Sequence, residues 1–364
     1  MHQRFKFRTS CSAVFFALVF VWTATVTALG QDRQSSSYVS APTPTAGLGT
    51  LQSPQLRYSH MGAVSPPPGR RFGNVSGVAL TAADHLIVFN RNFSIMMVEY
   101  DVSGNLIRTF NPNIAGNPHG MRIDRHGNIW LTDSFLNVVW KLDQNGNPLS
   151  VLGTRGEVGP WTTEGWNNMF NQPLDVAFDN NDNLYVVQGH GGTAPPADCT
   201  YCATYRNTRP AVEQGSDPRI LKFDVNGQYL ASRSLPLNKG KYPFIHTVIV
   251  TPANELWVGD REANRIRVFD LQLNPLREID MPTRVSGLFV GRNGQIWMSS
   301  GMDGVVLKLA ATGAVLGWFG QGGRSTDVDS PLVGEAHYLV VAPDQKTIFV
   351  ADSVNAKVHK FVSK

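Results

Sequence analysis

Cysteine and charge are both scarce in this chain. Only three of its 364 residues are cysteines, and charged side chains make up 16% of the total. Cys11 belongs to an N-terminal targeting segment described below, which leaves Cys199 and Cys202. In an exported protein this pair most simply forms a local disulfide. A thioredoxin-like motif would need a βαβ pattern around it, and a zinc site would need a second cysteine pair nearby, and the sequence offers neither.

The sequence also lacks segments with a helical hydrophobic period, and no apolar run beyond the N-terminus is long enough to cross a bilayer. Basic residues do not form runs interleaved with aromatic ones. Three of the 32 basic residues and none of the 28 acidic residues lie in residues 1–30, so the rest of the chain has a net charge of about +1. These absences argue against an α/β fold, against membrane contact by the mature chain and against nucleic acid binding.

The N-terminus has the features of a secretory signal peptide. Basic residues come first, an apolar run from Ala13 to Ala28 follows, and small residues end the segment at Gly30. We therefore predict a signal peptide over residues 1–30, with an uncleaved membrane anchor as the alternative, and a secreted or periplasmic location. Residues 31–70 are rich in Ser, Thr, Pro and Gly, which predicts a flexible leader.

What the sequence does contain is a repeat. Each unit has an apolar strand, a turn, a second apolar strand often with an aromatic residue, and a third strand before a Gly or Asn turn. The six units begin at Val75, Pro118, Pro173, Ile245, Val285 and Ala336. A basic period of about 40 residues is typical of a propeller blade. We predict an all-β fold, a six-bladed β-propeller over residues 71–364, with a pair of β-sandwiches as the alternative. The last unit shows only three strands, so residues near Gln55–Tyr58 are expected to complete it.

A column of histidines gives the first indication of a site. Aligned on the residue before the first apolar strand, the units give Ser76, His119, Leu174, His246, Ser286 and His337. Alternate blades of a six-fold ring lie about 120° apart, so the three histidines are expected to converge on the channel. Three histidines with an open fourth position are the ligands of a catalytic zinc. The alternative is that each histidine is hydrogen-bonded to backbone or water. The remaining histidines, among them His126 and His359, are expected at the surface or in loops.

A second column lies just after the second strand of each unit, and it includes Arg91 and Arg261. Loops at this position border the same channel, so both guanidinium groups are expected at the mouth of the metal site. Because guanidinium groups hold carboxylates by paired hydrogen bonds, we expect a small anionic substrate or a peptide C-terminus. The alternative is that each arginine pairs with a neighbouring carboxylate such as Glu262.

These segments resemble a known family. The runs QPLDVAFD, from Gln172, and GDREANRI, from Gly259, are similar to the lyase domain of peptidylglycine α-amidating enzymes. That domain is a six-bladed propeller of NHL-type repeats, and the resemblance covers Gly73 to Lys364. It implies cleavage of peptidyl-α-hydroxyglycine to an amide and glyoxylate. It also implies zinc bound by the three column histidines and a carboxylate held by the two arginines.

The chain departs from the family pattern in two places. The catalytic tyrosine of the family follows an Asp-Gly pair, but here the sequence is Gln188-Gly189-His190 with an insertion after it. His190, Tyr201 and Tyr205 are therefore the candidate bases. Tyr338 stands where the family has an aspartate that helps to bind a structural calcium ion, which weakens the case for calcium.

Two other functions remain open from the sequence. A non-catalytic propeller could bind a protein or peptide on one face. A lactonase-type hydrolase would instead rely on carboxylate and Asn metal ligands, which the column does not offer. We expect a monomer.

Overall fold

A computed structural model describes residues 51–110, 114, 116–159, 165–190, 217–236 and 243–364. The predicted signal peptide and the pair Cys199 and Cys202 lie outside these residues. Every regular element in the described part is a β-strand. Accordingly, the described residues contain no apolar helix of membrane-spanning length.

The strands form six antiparallel sheets of four, which we call blades one to six. Blades one to three comprise β2 (Val75–Leu80), β3 (Leu86–Asn90), β4 (Met97–Tyr100), β5 (Leu106–Phe110); β6 (Pro118–Ile123), β7 (Ile129–Asp133), β8 (Val138–Leu142), β9 (Pro148–Leu152); and β10 (Pro173–Phe178), β11 (Leu184–Gln188), β12 (Arg219–Phe223), β13 (Tyr229–Ser234). Blades four to six comprise β14 (Ile245–Val250), β15 (Leu256–Asp260), β16 (Arg265–Phe269), β17 (Pro275–Asp280); β18 (Gly287–Val290), β19 (Ile296–Ser299), β20 (Val305–Leu309), β21 (Val315–Gly320); and β22 (Ala336–Val341), β23 (Thr347–Asp352), β24 (Lys357–Ser363), β1 (Tyr58–Ala63).

An aspartate turn joins many of these strands and explains why the repeat sequence folds locally. In blade two, Oδ1 of Asp124 accepts hydrogen bonds from the backbone N–H groups of His126 and Asn128, each at 2.9 Å. Gly127 adopts a positive φ of 84°, which glycine reaches without steric cost. The same acceptor pattern recurs at Asp101, Asp143, Asp179, Asp224 and Asp270.

The blades close into a ring. The first strand of each blade contacts the first strands of its two neighbours, and β22 contacts β2. A cluster of buried apolar side chains lies between each pair of adjacent blades. Between blades six and one, for example, Val340 packs with Val78 and Val88. Burying a side chain of this kind stabilises the fold by about 1.5–3 kcal/mol. The prediction of an all-β, six-bladed propeller is confirmed, and the alternative of two β-sandwiches is wrong.

An N-terminal strand completes blade six, as predicted. Strand β1 runs antiparallel to β24, with His60 opposite Phe361. The strand begins at Tyr58, so it lies slightly later than the predicted Gln55–Tyr58, while Gln55 bridges to blade five. The expectation of a flexible leader up to residue 70 is therefore corrected, because this part of the leader pairs with the last strand and is held in the sheet.

One histidine expected at the surface is instead fully buried. His359 in β24 has no exposed surface, and its Nε2–H donates to Asp352 Oδ2 at 3.0 Å. Its Nδ1 then accepts a hydrogen bond from Nε2 of His60, also at 3.0 Å. This chain of bonds links the closing strand β1 to the interior of blade six. By contrast, His126 lies in a turn, as expected.

Candidate functional site

A backbone irregularity aims the three column histidines at the channel. His246 and His337 are each the second residue of a first strand, and each is the extra residue of a β-bulge. His119 lies in a two-residue version of the same irregularity. A bulge leaves its extra residue unpaired and re-aims the side chain. The strand pairing thus continues past each histidine while the imidazole turns to the axis.

The three imidazoles come together as predicted. Their ring centroids lie 4.7 Å apart for His119 and His246, 5.0 Å for His119 and His337, and 4.7 Å for His246 and His337. One nitrogen from each ring lies within 4.8 Å of the others, and no other group of this kind occurs in the described part of the chain. Three histidines from alternate blades could therefore hold one metal ion.

The next blade fixes the orientation of each imidazole. Nδ1 of His119 lies 2.9 Å from the carbonyl oxygen of Leu174, and Nδ1 of His337 lies 2.8 Å from that of Ser76. Nδ1 of His246 lies 2.6 Å from the carbonyl of Ser286. A carbonyl oxygen only accepts, so each Nδ1 carries the proton and each Nε2 keeps a lone pair. Metal-binding histidines are oriented by hydrogen bonds of this type.

The site keeps these imidazoles neutral. Burial, and then the charges of His337 and Arg91, hold the pKa of His119 well below 6.5. Burial and Arg261 do the same for the pKa of His246. Burial, with Arg91 and Arg261, lowers the pKa of His337 to about 3. In addition, His246 Nε2 is buried and has no hydrogen-bond partner among the residues that the structure describes. A buried lone pair without a partner is costly unless a ligand uses it, so the donor set fits a metal such as zinc.

An acidic residue at the end of the second strand anchors each histidine strand. In blade two, Asp133 Oδ1 accepts a hydrogen bond from the backbone N–H of Asn117 at 3.0 Å, two residues before His119. In blade six, Asp352 accepts from the N–H groups of Gly334 and Glu335 at 2.8 and 3.0 Å. In blade four, Asp260 Oδ1 accepts from the N–H of Phe244 at 3.0 Å. These bonds fix the entry of each first strand and hence the height of its histidine in the channel.

Both predicted arginines border the site. Arg91 donates from Nε to the carbonyl of Pro118 at 3.1 Å. Arg261 lies over the ring of Phe244, 4.2 Å from its centroid. Its Nε donates to Glu262 Oε1 at 2.9 Å, and its Nη1 lies 3.4 Å from Glu335 Oε1. Pairing with Glu262 was the alternative drawn from the sequence, and this pair is present. The charge of Arg261 nevertheless lowers the pKa of His246.

His190 joins this group. Its ring centroid lies 5.5 Å from that of His119 and 5.9 Å from that of His246. Its backbone bridges to Phe244, whose ring is 4.2 Å away. Burial and the charge of Arg261 hold the pKa of His190 well below 6.5, so this imidazole is also neutral. Of the three candidate bases the structure places this one beside the histidines, while Tyr201 and Tyr205 lie outside the described residues.

Sequence reasoning missed Tyr338 as a part of the site. Its ring centroid lies 6.4 Å from that of His119, 6.1 Å from that of His246 and 5.1 Å from that of His337. Its hydroxyl donates to the carbonyl of His246 at 3.0 Å. The signal was its place directly after a column histidine. In the sequence, this residue was noted only because a tyrosine stands where the family has a calcium-binding aspartate.

Comparisons with known proteins find relatives of this chain by sequence. The chain is 24% identical over 333 residues to peptidyl-glycine alpha-amidating monooxygenase A of Xenopus laevis, covering 81% of this chain and 32% of that protein. It is 23% identical over 235 residues to a probable peptidyl-alpha-hydroxyglycine alpha-amidating lyase of Caenorhabditis elegans, covering 57% of this chain and 58% of that protein. The chain thus spans about a third of the length of its amidating monooxygenase relatives.

Solved structures show the fold alone. A streptogramin B lyase structure superimposes with a TM-score of 0.55 at 14% identity, covering 85% of this chain and 98% of that chain. No family model matches the chain. The resemblance found in the sequence is nevertheless confirmed by the relatives: this six-bladed propeller is homologous to proteins named as peptidyl-α-hydroxyglycine α-amidating lyases and peptidylglycine α-amidating monooxygenases.

Proposed function

We propose that this protein is a zinc-dependent lyase. It cleaves the C–N bond of N-acyl α-hydroxyglycines, including peptidyl-α-hydroxyglycine, and releases an amide and glyoxylate. The observation that carries the proposal is the set of three buried, neutral imidazoles with Nε2 lone pairs directed to one point. Homology to proteins named for this reaction supports the choice of substrate class.

The residues of the site divide the work of this reaction. His119, His246 and His337 would hold the zinc ion, which would supply Lewis acidity toward a substrate hydroxyl group. Arg91 and Arg261 hold the substrate carboxylate and fix the α-carbon beside the histidines. His190 is neutral, so its imidazole can accept the hydroxyl proton as the C–N bond breaks and return it to the departing amide nitrogen. The proton balance is thus closed within the site.

The charges at the mouth restrict the substrate. Arg261 is already shared by Glu262 and Glu335, so an incoming carboxylate must compete with two resident carboxylates. Arg91 contacts a backbone carbonyl at the same mouth. Two guanidinium groups at one mouth nevertheless favour a substrate with a carboxylate next to the reacting carbon over a neutral one. We propose that the protein acts on such substrates outside the cytoplasm, as a monomer.

Metal analysis followed by product analysis tests the proposal. We expect one zinc per chain, lost in the variant His119→Ala, His246→Ala, and glyoxylate release from an N-acyl α-hydroxyglycine that depends on this zinc. His126→Ala is the matched control, because this exposed turn histidine lies outside the site. A wild-type protein that is folded but binds no metal refutes the proposal and favours a binding propeller instead.

A further inference from the structure

An arginine sits in the middle of the ring, where the inner strands are otherwise largely apolar. Arg122 in β6 donates from Nε to Asp175 Oδ1 at 2.9 Å and from Nη2 to Oδ2 at 2.6 Å. Nη2 also lies 3.3 Å from Thr247 Oγ1 and 3.0 Å from the carbonyl of Leu288. The guanidinium carbon is 5.2 Å from the ring centroid of Tyr338. One guanidinium from blade two therefore touches blades three, four, five and six.

Only a group near the ring axis can reach non-adjacent blades, so these contacts place the guanidinium in the central channel. Its partner Asp175 is fully buried and also accepts hydrogen bonds from Thr247 Oγ1 at 2.9 Å and from the N–H of Val248 at 3.0 Å. The carboxylate is thus held by blades two and four together. A buried carboxylate with a paired, bidentate guanidinium is satisfied, whereas either charge alone would be strongly unfavourable.

Tyr338 connects this ion pair to the histidines. The guanidinium carbon of Arg122 lies over the ring of Tyr338. The ring centroids of the three column histidines lie within 6.4 Å of the centroid of the same ring. Its hydroxyl holds the backbone of His246. The order along the channel is therefore histidines, tyrosine and arginine. Substrate-side groups such as Arg261 and His190 belong to the histidine end.

We propose that Arg122 is an internal cation that closes the channel beneath the three histidines and positions His246 through Tyr338. The ring is then held together at its axis by a side chain of its own, at a place where carboxylate, hydroxyl and carbonyl oxygens from blades three, four and five converge. Substrate and product use the histidine end only. The positioning part of this inference rests on the metal site of the proposed function, and the closure part does not.

The first test needs no metal. Arg122→Ala leaves a space beside Asp175 that methylguanidinium fits, so low millimolar methylguanidinium should raise the melting temperature of this variant by a few degrees. Methylammonium should not, because it lacks the planar fork that pairs with a carboxylate. Arg125→Ala is the matched control, since Arg125 also joins blade two to an aspartate of blade three, Asp182, but its side chain is 56% exposed. If methylguanidinium does not raise the melting temperature of Arg122→Ala, or raises that of Arg125→Ala equally, the proposal that Arg122 is an internal cation is overturned.

The second test measures the metal site. Arg122→Met with Asp175→Asn removes both charges and so avoids a stranded carboxylate if single variants fail to fold. We expect about ten-fold weaker zinc binding in chelator competition, the scale found for partners that orient metal ligands, and an altered visible spectrum with cobalt in place of zinc. Affinity and spectrum equal to those of Arg125→Met would overturn the positioning role. Absence of metal in the wild type would instead count against the proposed function. The methylguanidinium experiment would still test whether Arg122 is the internal cation, because it needs no metal.

Discussion

Acid should unfold the metal-free protein well before it protonates the folded histidine site. The perturbation is a shift from pH 7.5 to pH 5.5 with a chelator present. In the folded protein the pKa values of the three column histidines lie far below 6.5, that of His337 at about 3. The unfolded chain therefore binds more protons in this range. Stability is fully present above pH 6.5 and is lost as the pH falls from 6.5 towards 3.

The magnitude follows from the linkage relation. Each histidine that stays neutral when folded and titrates near 6.5 when unfolded costs about 1.3 kcal/mol between pH 7.5 and pH 5.5. The three column histidines together cost about 4 kcal/mol, and His190, whose pKa is also well below 6.5, adds about as much as one of them. The sum is a large part of the 5–15 kcal/mol that stabilises an ordinary domain. Urea titrations at the two pH values measure the change in the free energy of unfolding. The variant His337→Gln has no titrating group there and should lose about 1.3 kcal/mol less. A loss in His337→Gln equal to that of the wild type would refute the reasoning.

The same neutrality has a consequence for metal affinity. Three ordinary histidines with a pKa of 6.5 would lose about a thousand-fold in affinity at pH 5.5, because protons compete for each nitrogen. In this site the lone pairs are already free in the folded state. Chelator competition at pH 7.5 and pH 5.5, on protein that is still folded, should therefore show less than about a three-fold change. A change near a thousand-fold would show that the histidines titrate like exposed ones.

Three further predictions concern other parts of the ring. Glu335→Gln removes a carboxylate that lies 3.4 Å from Arg261, so KM for an anionic substrate should fall by about two- to ten-fold with kcat little changed; a rise in KM would contradict this. Gly120→Ala places a methyl group against the carbonyl of Leu174 in the next blade, so it should destabilise the protein by about 1–3 kcal/mol. An unchanged midpoint in urea titrations would show that the two inner strands can move apart to accept the methyl group. Tyr58→Ala removes a ring stacked on a phenylalanine of blade five, with the centroids 4.2 Å apart. We expect the free energy of unfolding to fall by about 2 kcal/mol and the closing strand to be cleaved faster by proteases. Protease resistance equal to that of the wild type would contradict this role.

The sequence carried enough information for the ring and for its three histidines. Each blade repeats one strand pattern, and a residue at one position in that pattern must face the axis whichever blade it belongs to. His119, His246 and His337 could thus be brought together without knowledge of any contact. The prediction rested on a local rule applied six times, and the bulge that turns each imidazole inward is part of the same repeated pattern.

Contacts that break the six-fold pattern could not be predicted in this way. Arg122 meets Thr247 and Leu288, which are 125 and 166 residues away, and nothing in the repeat relates these positions. Likewise, Arg261 in blade four pairs with Glu335 in blade six, across a blade that has no part in the contact. A charged residue inside an inner strand was the available signal, but which residues it contacts depends on the closed ring.

His359 shows the same limit at a smaller scale. Its position in the third strand of blade six matches no other histidine, so the repeat gave it no role. Only the pairing of β1 with β24 brings it to His60, and only the strand end of β23 brings it to Asp352. Its burial results from the one blade that is built from two distant parts of the chain.

That composite blade also sets when the site can exist. Blade six supplies the third histidine, and its strands are the last of this propeller to leave the ribosome, while the strand that seals it was made among the first. Before blade six has folded onto blade one, only two of the three imidazoles are in place, and two imidazoles would bind a metal ion more weakly than three. If the three imidazoles bind a metal ion, its uptake would therefore report ring closure: a nascent, nicked or truncated propeller would bind it weakly, and a cut between β1 and β2 would loosen both the closing strand and the third histidine.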